Sequence, residues 1–310
     1  MLKFLKYLLS LLLFILVLVF LYHQYSLNKE KKLLTSSIGQ RVEVDGKKMN
    51  VYVAGNGPKT LVFLSGSGTS SPILDFKSLY SKLVKDYRVV VVEKFGYGFS
   101  DDWSKDRDLD TILSQTRKAL QKADVKGPYV LLPHSMSGLE AMHWSASYPK
   151  EVEAIIGLDM SLSQAYDKYR SNRLLYKTLQ LAANLGLSRW LYSSDKEIHS
   201  LSNGSLNLKE RLIYKALFYR RPLSNAIIKE AEEVKSNAKL VKQDKVTAIP
   251  YLLFVSNGQG TGFAKQDWQD MSKDFAKDHK NVQLKSFDVP HYIHSYIPDE
   301  LAKEIRKFLK

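Results

Sequence analysis

The chain is expected to fold as an α/β protein, a mostly parallel central sheet with helices on both faces and an inserted helical cap. Short valine- and leucine-rich runs recur along the sequence. Segments of helical periodicity separate them. The alternation then stops for some eighty residues and resumes before the C-terminus. Strands that are apolar on both sides belong to parallel sheets covered by helices.

Each element follows in order. Val42-Glu43-Val44 and Met49 to Val53 flank Asp45-Gly46 and read as a hairpin. Leu61 to Leu64 is a short buried strand that runs into a glycine-rich turn. Arg88 to Val92, Tyr129 to Leu132, Ala154 to Leu158 and Tyr251 to Val255 repeat the pattern. Leu109 to Ala123 and Gly138 to Tyr148 carry helical periodicity between them. Arg173 to Leu185, Leu208 to Tyr219 and Asn225 to Val241 are helical segments with no strand between them. The organisation expected is a membrane anchor at 1–24, a linker at 25–38, a core at 39–160 and 247–310, and a helical cap at 161–246. A cap inserted there overhangs the carboxyl ends of the strands, where open α/β sheets bind ligands.

Phe4 to Tyr22 is almost continuously apolar, broken only by Lys6 and Ser10. A membrane span takes about 20 such residues. Tyr7 and Tyr22 fall where the two interfaces would be, and Lys6 is close enough to one end to snorkel. A cleaved signal peptide is the rival, but no small-residue cleavage site follows in His23-Gln24-Tyr25-Ser26. The expectation is a single-pass anchor. Lysines flank both ends and nearly balance the positive-inside rule; the folded part is placed outside the cytoplasm.

The formal charge is +14 over 310 residues. The lysines are scattered, with no zinc finger, RRM-type signature or basic stripe interleaved with aromatics, so nucleic acid is not expected as a partner. Attraction to anionic lipid suits such a surface better. With no cysteine, disulfides and thiolate metal sites are excluded. Asn203-Gly204-Ser205 matches a glycosylation sequon, a weak pattern. No cofactor or metal-ligand cluster is expected.

The informative segment is Gly127 to Gly138, a strand, a tight turn and a helix with Ser135 at the apex. A serine in that turn stands above the sheet edge, and the helix behind it aims backbone N–H groups at a developing anion. Pro133-His134-Ser135-Met136-Ser137 resembles the G-x-S-x-G nucleophile elbow of the α/β-hydrolases, with Pro133 and Ser137 in place of the two glycines. Leu64-Ser65-Gly66-Ser67-Gly68 is similar to the family's oxyanion loop, with Ser65 where a histidine is usual. Glu93 to Ser100 is similar to the D-R-x-G-x-G-x-S stretch, which has a structural role. Val289-Pro290-His291 resembles the loop of the catalytic histidine. The resemblance spans about residues 40–310.

It implies Ser135 as nucleophile, His291 as its base, and the N–H groups of Ser67 and Met136 as oxyanion donors. The acid is less plainly marked. Ser256 to Gly260, after the strand at Tyr251, holds no carboxylate. Asp159 closes the preceding strand and is the acid expected; Asn257 is the fallback, and Asp288 lies too near His291 in sequence. His134 and His143 are read as structural and separate from the site. The activity implied is hydrolysis of an ester or other acyl bond of a small or lipid-like substrate. Acyl transfer to lipid or cell-wall material and a non-catalytic binding module are the alternatives.

Overall fold

The computed structural model describes residues 1–191 and 198–310. The strands are β1 (Gln40–Val44), β2 (Lys47–Ala54), β3 (Thr60–Leu64), β4 (Arg88–Glu93), β5 (Tyr129–Ser135), β6 (Val152–Met160), β7 (Tyr251–Val255) and β8 (Val282–Ser286). They form one sheet in the order β1-β2-β4-β3-β5-β6-β7-β8. The first two pairings are antiparallel and the rest parallel. The hairpin turns at Asp45-Gly46, as its sequence predicts.

The valines of β4 show why the strands read as unbroken apolar runs. Val90 and Val92 enter the core on one face, Val89 and Val91 the core on the other. Side chains alternate between faces, so both faces must be apolar when both are covered. The long helices are α1 (Leu2–Lys31), α2 (Lys77–Leu83), α3 (Leu109–Lys122), α4 (Ser137–Ser147), α5 (Arg173–Asn184), α6 (Leu208–Arg220), α7 (Asn225–Gln243), α8 (Lys265–Asp278) and α9 (Pro298–Phe308). α3, α4, α7 and α8 cover one face, through residues such as Leu113, Leu139, Val234 and Trp268. α2 and α9 cover the other, through Leu79, Leu83, Leu301 and Ile305. Local caps set several starts. Asp108 accepts from Thr111 N, Ser224 from Ile227 N, and Asn207 and Glu210 close a capping box.

β3 lies between β4 and β5. The chain leaves β3 toward one edge and returns past it toward the other, so the crevice between the carboxyl ends of β3 and β5 is the switch point where such sheets bind ligands. Between β6 and β7 the described residues contain helices and no strand.

α1 differs from the boundary expected. It is long and apolar enough to cross a membrane, with a mean hydropathy of 2.8 over its most apolar window. The polar stretch read as a linker is nevertheless helical as far as Lys31. The reason lies in the insertion. Arg189 donates to both oxygens of Glu30 at 2.8 and 2.6 Å and to His23 Nδ1 at 2.9 Å. His23 and Val19 are buried there. Those contacts reward helix where sequence polarity alone signals a linker.

The insertion is tied to the sheet by a buried charge cluster. Glu230 of α7 accepts from Arg107 Nη2 at 2.6 Å and Tyr97 Oη at 2.5 Å, with Lys94 Nζ 4.0 Å away. Lys94 also pairs with Glu140 at 3.3 Å, and Arg107 reaches Gln115 at 2.7 Å. Burial alone would raise the Glu230 carboxyl; Lys94 and Arg107 outweigh it and hold it below its ordinary value. A buried ion left without its partner destabilises by about 3–5 kcal/mol. Arg107→Met is therefore expected to lower the unfolding free energy of the full chain in detergent by about that amount, measured by denaturant titration. A loss below about 1 kcal/mol would show that the cluster holds nothing together.

Candidate active site

β5 ends on Ser135, whose φ is +54°. A non-glycine residue in this left-handed region costs roughly 1–3 kcal/mol and persists only where its surroundings enforce it. Here Ser161 N donates to Ser135 O at 2.8 Å. The buried Ser137 hydroxyl accepts from His134 N at 3.0 Å and donates to Leu64 O at 2.7 Å. The serine in place of the second glycine thus pins the elbow to β3. Pro133 offers no N–H, and the register of β5 against β6 shifts beside it, between His134 and Ser135.

Crowding accounts for the glycines that remain. A Cβ on Gly66 would fall 2.7 Å from Ser135 Cβ, and one on Gly138 would fall 2.4 Å from Ser161 O. Neither position has room for a side chain, because the turn after β3 closes on Ser135 and the end of β6 closes on the start of α4.

Asp159 is the last residue but one of β6 and is also left-handed, with φ +52°. It is buried. Its Oδ2 lies 2.5 Å from His291 Nδ1. Its Oδ1 accepts from Ser256 N at 2.7 Å and from Trp268 Nε1 at 2.8 Å. A carboxylate on Nδ1 keeps the proton there and leaves Nε2 as the accepting nitrogen. The loop after β8 is fixed in turn, since His291 N donates to Gln259 O at 2.9 Å. Asn257 instead bonds Asp288 Oδ1 at 3.3 Å, and exposed Asp288 pairs with Lys265 at 2.8 Å. Among the described residues, Asp159 is the carboxylate on His291.

Ser67, Ser135 and His291 line one open cavity of about 950 Å³, with Tyr166, Trp268 and Met271 on its walls. Met136 follows Ser135 and begins the turn into α4. Among the described residues, neither Ser67 N nor Met136 N donates to a backbone carbonyl. A second cavity of about 460 Å³ shares His291 and Tyr292 and holds the buried carboxyl of Asp75. Burial pushes that carboxyl up to about 6, against hydrogen bonds from Ser200 and Tyr214. Sequence reading missed Trp268 and Asp75. The one signal for Trp268 was an indole N–H in an otherwise polar helix, a group that seeks an acceptor when buried.

An open, mostly parallel sheet with a left-handed residue at its carboxyl edge, beside a histidine–carboxylate pair, defines the hydrolase class of doubly wound proteins. The alpha/beta hydrolase fold model matches residues 59–283, and the chain belongs to that family. It is 38% identical over 309 residues to the uncharacterized protein YbdG of Bacillus subtilis, covering 97% of this chain and 94% of that protein. Solved structures share the fold at lower identity. The epoxide hydrolase of Bacillus megaterium is 14% identical, with a TM-score of 0.65 over 87% of this chain and 99% of its own. Cfl2 of Burkholderia cenocepacia is 18% identical, with a TM-score of 0.64 over 87% and 95%.

His134 is not separate from the site. Its ring packs 4.6 Å from that of His291 and 4.9 Å from that of His294, and its Nε2 lies 3.2 Å from His291 O. His143 does lie apart, between Asp110 and Asp244. Burial lowers the His134 imidazole far below its ordinary value, helped by His291 and His294. Burial, then His291, lowers His294 to about 3, and among the described residues neither of its ring nitrogens has a partner. Both rings stay neutral beside His291. The unfolded chain takes up a proton on His294 near pH 6.5, while the folded one resists until about 3. Its stabilising contribution is therefore full above pH 6.5 and is lost as pH falls toward 3. Between pH 6 and 4, wild-type stability is expected to drop by up to about 1.4 kcal/mol per pH unit from this group. His294→Phe should show a shallower slope in the same titration; equal slopes would count against the assignment.

Proposed function

We propose that the chain is a membrane-anchored serine hydrolase that cleaves an ester or other acyl bond through an acyl-enzyme on Ser135. The observation that carries this reading is the buried Asp159–His291 pair at 2.5 Å, whose histidine lines the same cavity as Ser135. In the reaction, Ser135 Oγ attacks the acyl carbon while its proton passes to His291 Nε2. Asp159 stabilises the imidazolium, and its two further donors hold it in orientation. The N–H groups of Ser67 and Met136 hold the oxyanion. The imidazolium returns the proton to the leaving group. Water, deprotonated by the same nitrogen, then hydrolyses the acyl-serine.

The fold neighbours include epoxide hydrolases, so the chemistry of the nucleophile matters. A serine that opened an epoxide would become an ether, which water and an imidazole do not cleave. A serine that attacks an acyl carbon becomes an ester, which they do. The residue at the elbow therefore favours acyl chemistry for this chain. Acyl transfer needs the same acyl-enzyme with an alcohol or amine in place of water.

The anchor reading rests on α1. Phe4 to Tyr22 is about 28 Å of helix at 1.5 Å per residue, close to the hydrocarbon thickness of a bilayer. Most of its large apolar side chains are exposed, Val19 being buried against the insertion. The substrate class supported is a small or lipid-like acyl compound met at the membrane, with the folded part on the extracytoplasmic side.

A fluorophosphonate probe is expected to label the wild type and not Ser135→Ala; equal labelling would remove Ser135 as nucleophile. Asp159→Asn is expected to lower kcat on any ester that the wild type turns over by about 10⁴-fold. Trp268→Phe, which takes away one donor to Asp159, should lower kcat roughly 10-fold, the equivalent of about 1.4 kcal/mol.

A further inference from the structure

α5 is built with its apolar side outward. Leu174, Leu179 and Leu181 are 79%, 47% and 60% exposed. Several of its polar groups bond to the protein instead. Gln180 Nε2 donates to Leu223 O at 2.8 Å, Lys177 Nζ reaches Asn225 Oδ1 at 3.1 Å, and the Tyr176 hydroxyl lies 2.5 Å from that of Tyr169. The surface continues past the helix, where Trp190 and Leu191 are 66% and 82% exposed. A contiguous apolar surface of this kind marks an interaction site.

The position of α1 says what covers it. Gly186, just after α5, sits so close to α1 that a Cβ there would fall 2.5 Å from His23 Cβ and 3.3 Å from Val19 O. The ring of Trp190 meets that of Tyr22 at 6.2 Å. Val19 and Tyr22 belong to the last turn of the apolar stretch. Any bilayer that covers α1 as far as Tyr22 therefore reaches the end of α5 and Trp190 at the same depth. Tryptophan and tyrosine are the residues favoured at that level.

We propose that the outward apolar face of α5 and the turn Ser188–Leu191 lies in the interface of the same bilayer that holds α1. This rests on the anchor reading above. It adds a second contact, in the manner of an interfacial amphipathic helix. Tyr169, on the wall of the large cavity, is one hydrogen bond from α5 through Tyr176, so the membrane face and the cavity wall are adjacent.

The chain has no cysteine, so single cysteines can carry a nitrobenzoxadiazole fluorophore cleanly. Full-length Leu179→Cys, Leu12→Cys and Asp278→Cys would be reconstituted in vesicles of phosphatidylethanolamine and phosphatidylglycerol. Labels at 179 and 12 are expected to emit at shorter wavelength than the label at 278. Both should be quenched by doxyl-lipid and show several-fold less quenching by iodide. A label at 12 in lipid with one at 179 in water overturns this inference and leaves the anchor standing. A label at 12 in water overturns both. A label at 179 that is shielded from iodide, ignores doxyl-lipid and responds to protein density assigns the face to a second copy of the chain, and overturns the inference as well.

Discussion

Asp159 is a carboxylate with 1% of its surface exposed, and the carboxyl edge of the sheet is arranged around that constraint. A buried carboxylate must be satisfied by donors or give up its charge. Three groups meet the demand, from three places in the chain: the backbone after β7, the indole of α8 and the imidazole after β8. Two of the contacts fix loops, and the third docks α8 against the carboxylate. The register of β6, β7 and β8 is thereby translated into the position of one imidazole nitrogen over the cavity. The left-handed turn at Ser135 is the matching constraint from the other side. It is held by Ser161 and by the hydroxyl of Ser137.

Much of this was legible in the sequence, for reasons that differ by residue. β3, β4, β5, β6 and β7 were readable because strands buried on both faces leave an unbroken apolar run. Ser135 and His291 were readable because each stands in a loop of characteristic pattern between a strand and a helix. Asp159 was readable as the carboxylate ending a strand, and no more than that. Its bond to His291 joins residues 132 positions apart, which no local pattern reports. Trp268 and α8 were missed because α8 is mostly polar, with one buried seam of Trp268, Ser272 and Phe275. The extension of α1 to Lys31 was missed because its stabilising partner, Arg189, lies in the insertion.

The histidines show the same division between residue type and environment. His134, His291 and His294 are chemically identical and share one patch, yet their surroundings set them different tasks. His291 has a carboxylate on Nδ1. His134 and His294 have apolar neighbours, including Phe76, and are kept neutral. A second cation beside His291 would oppose its taking up a proton. Two neutral rings add no charge beside His291, which suits its proposed role as a base that accepts and returns a proton within a turnover.

α1 runs from Leu2 to Lys31 without a glycine or proline, and its last turns are clamped by Arg189. A tether of this kind has no swivel. Flexible stalks let a catalytic body tumble over a membrane and sample substrates at many heights. As the anchor proposed above, a stiff rod joined to the body at one end would fix both its tilt and its height, so that the cavity would open at one set distance from the bilayer plane. On that proposal, selection among substrates would depend on where along its length a molecule carries its reactive bond, as well as on the chemistry of that bond.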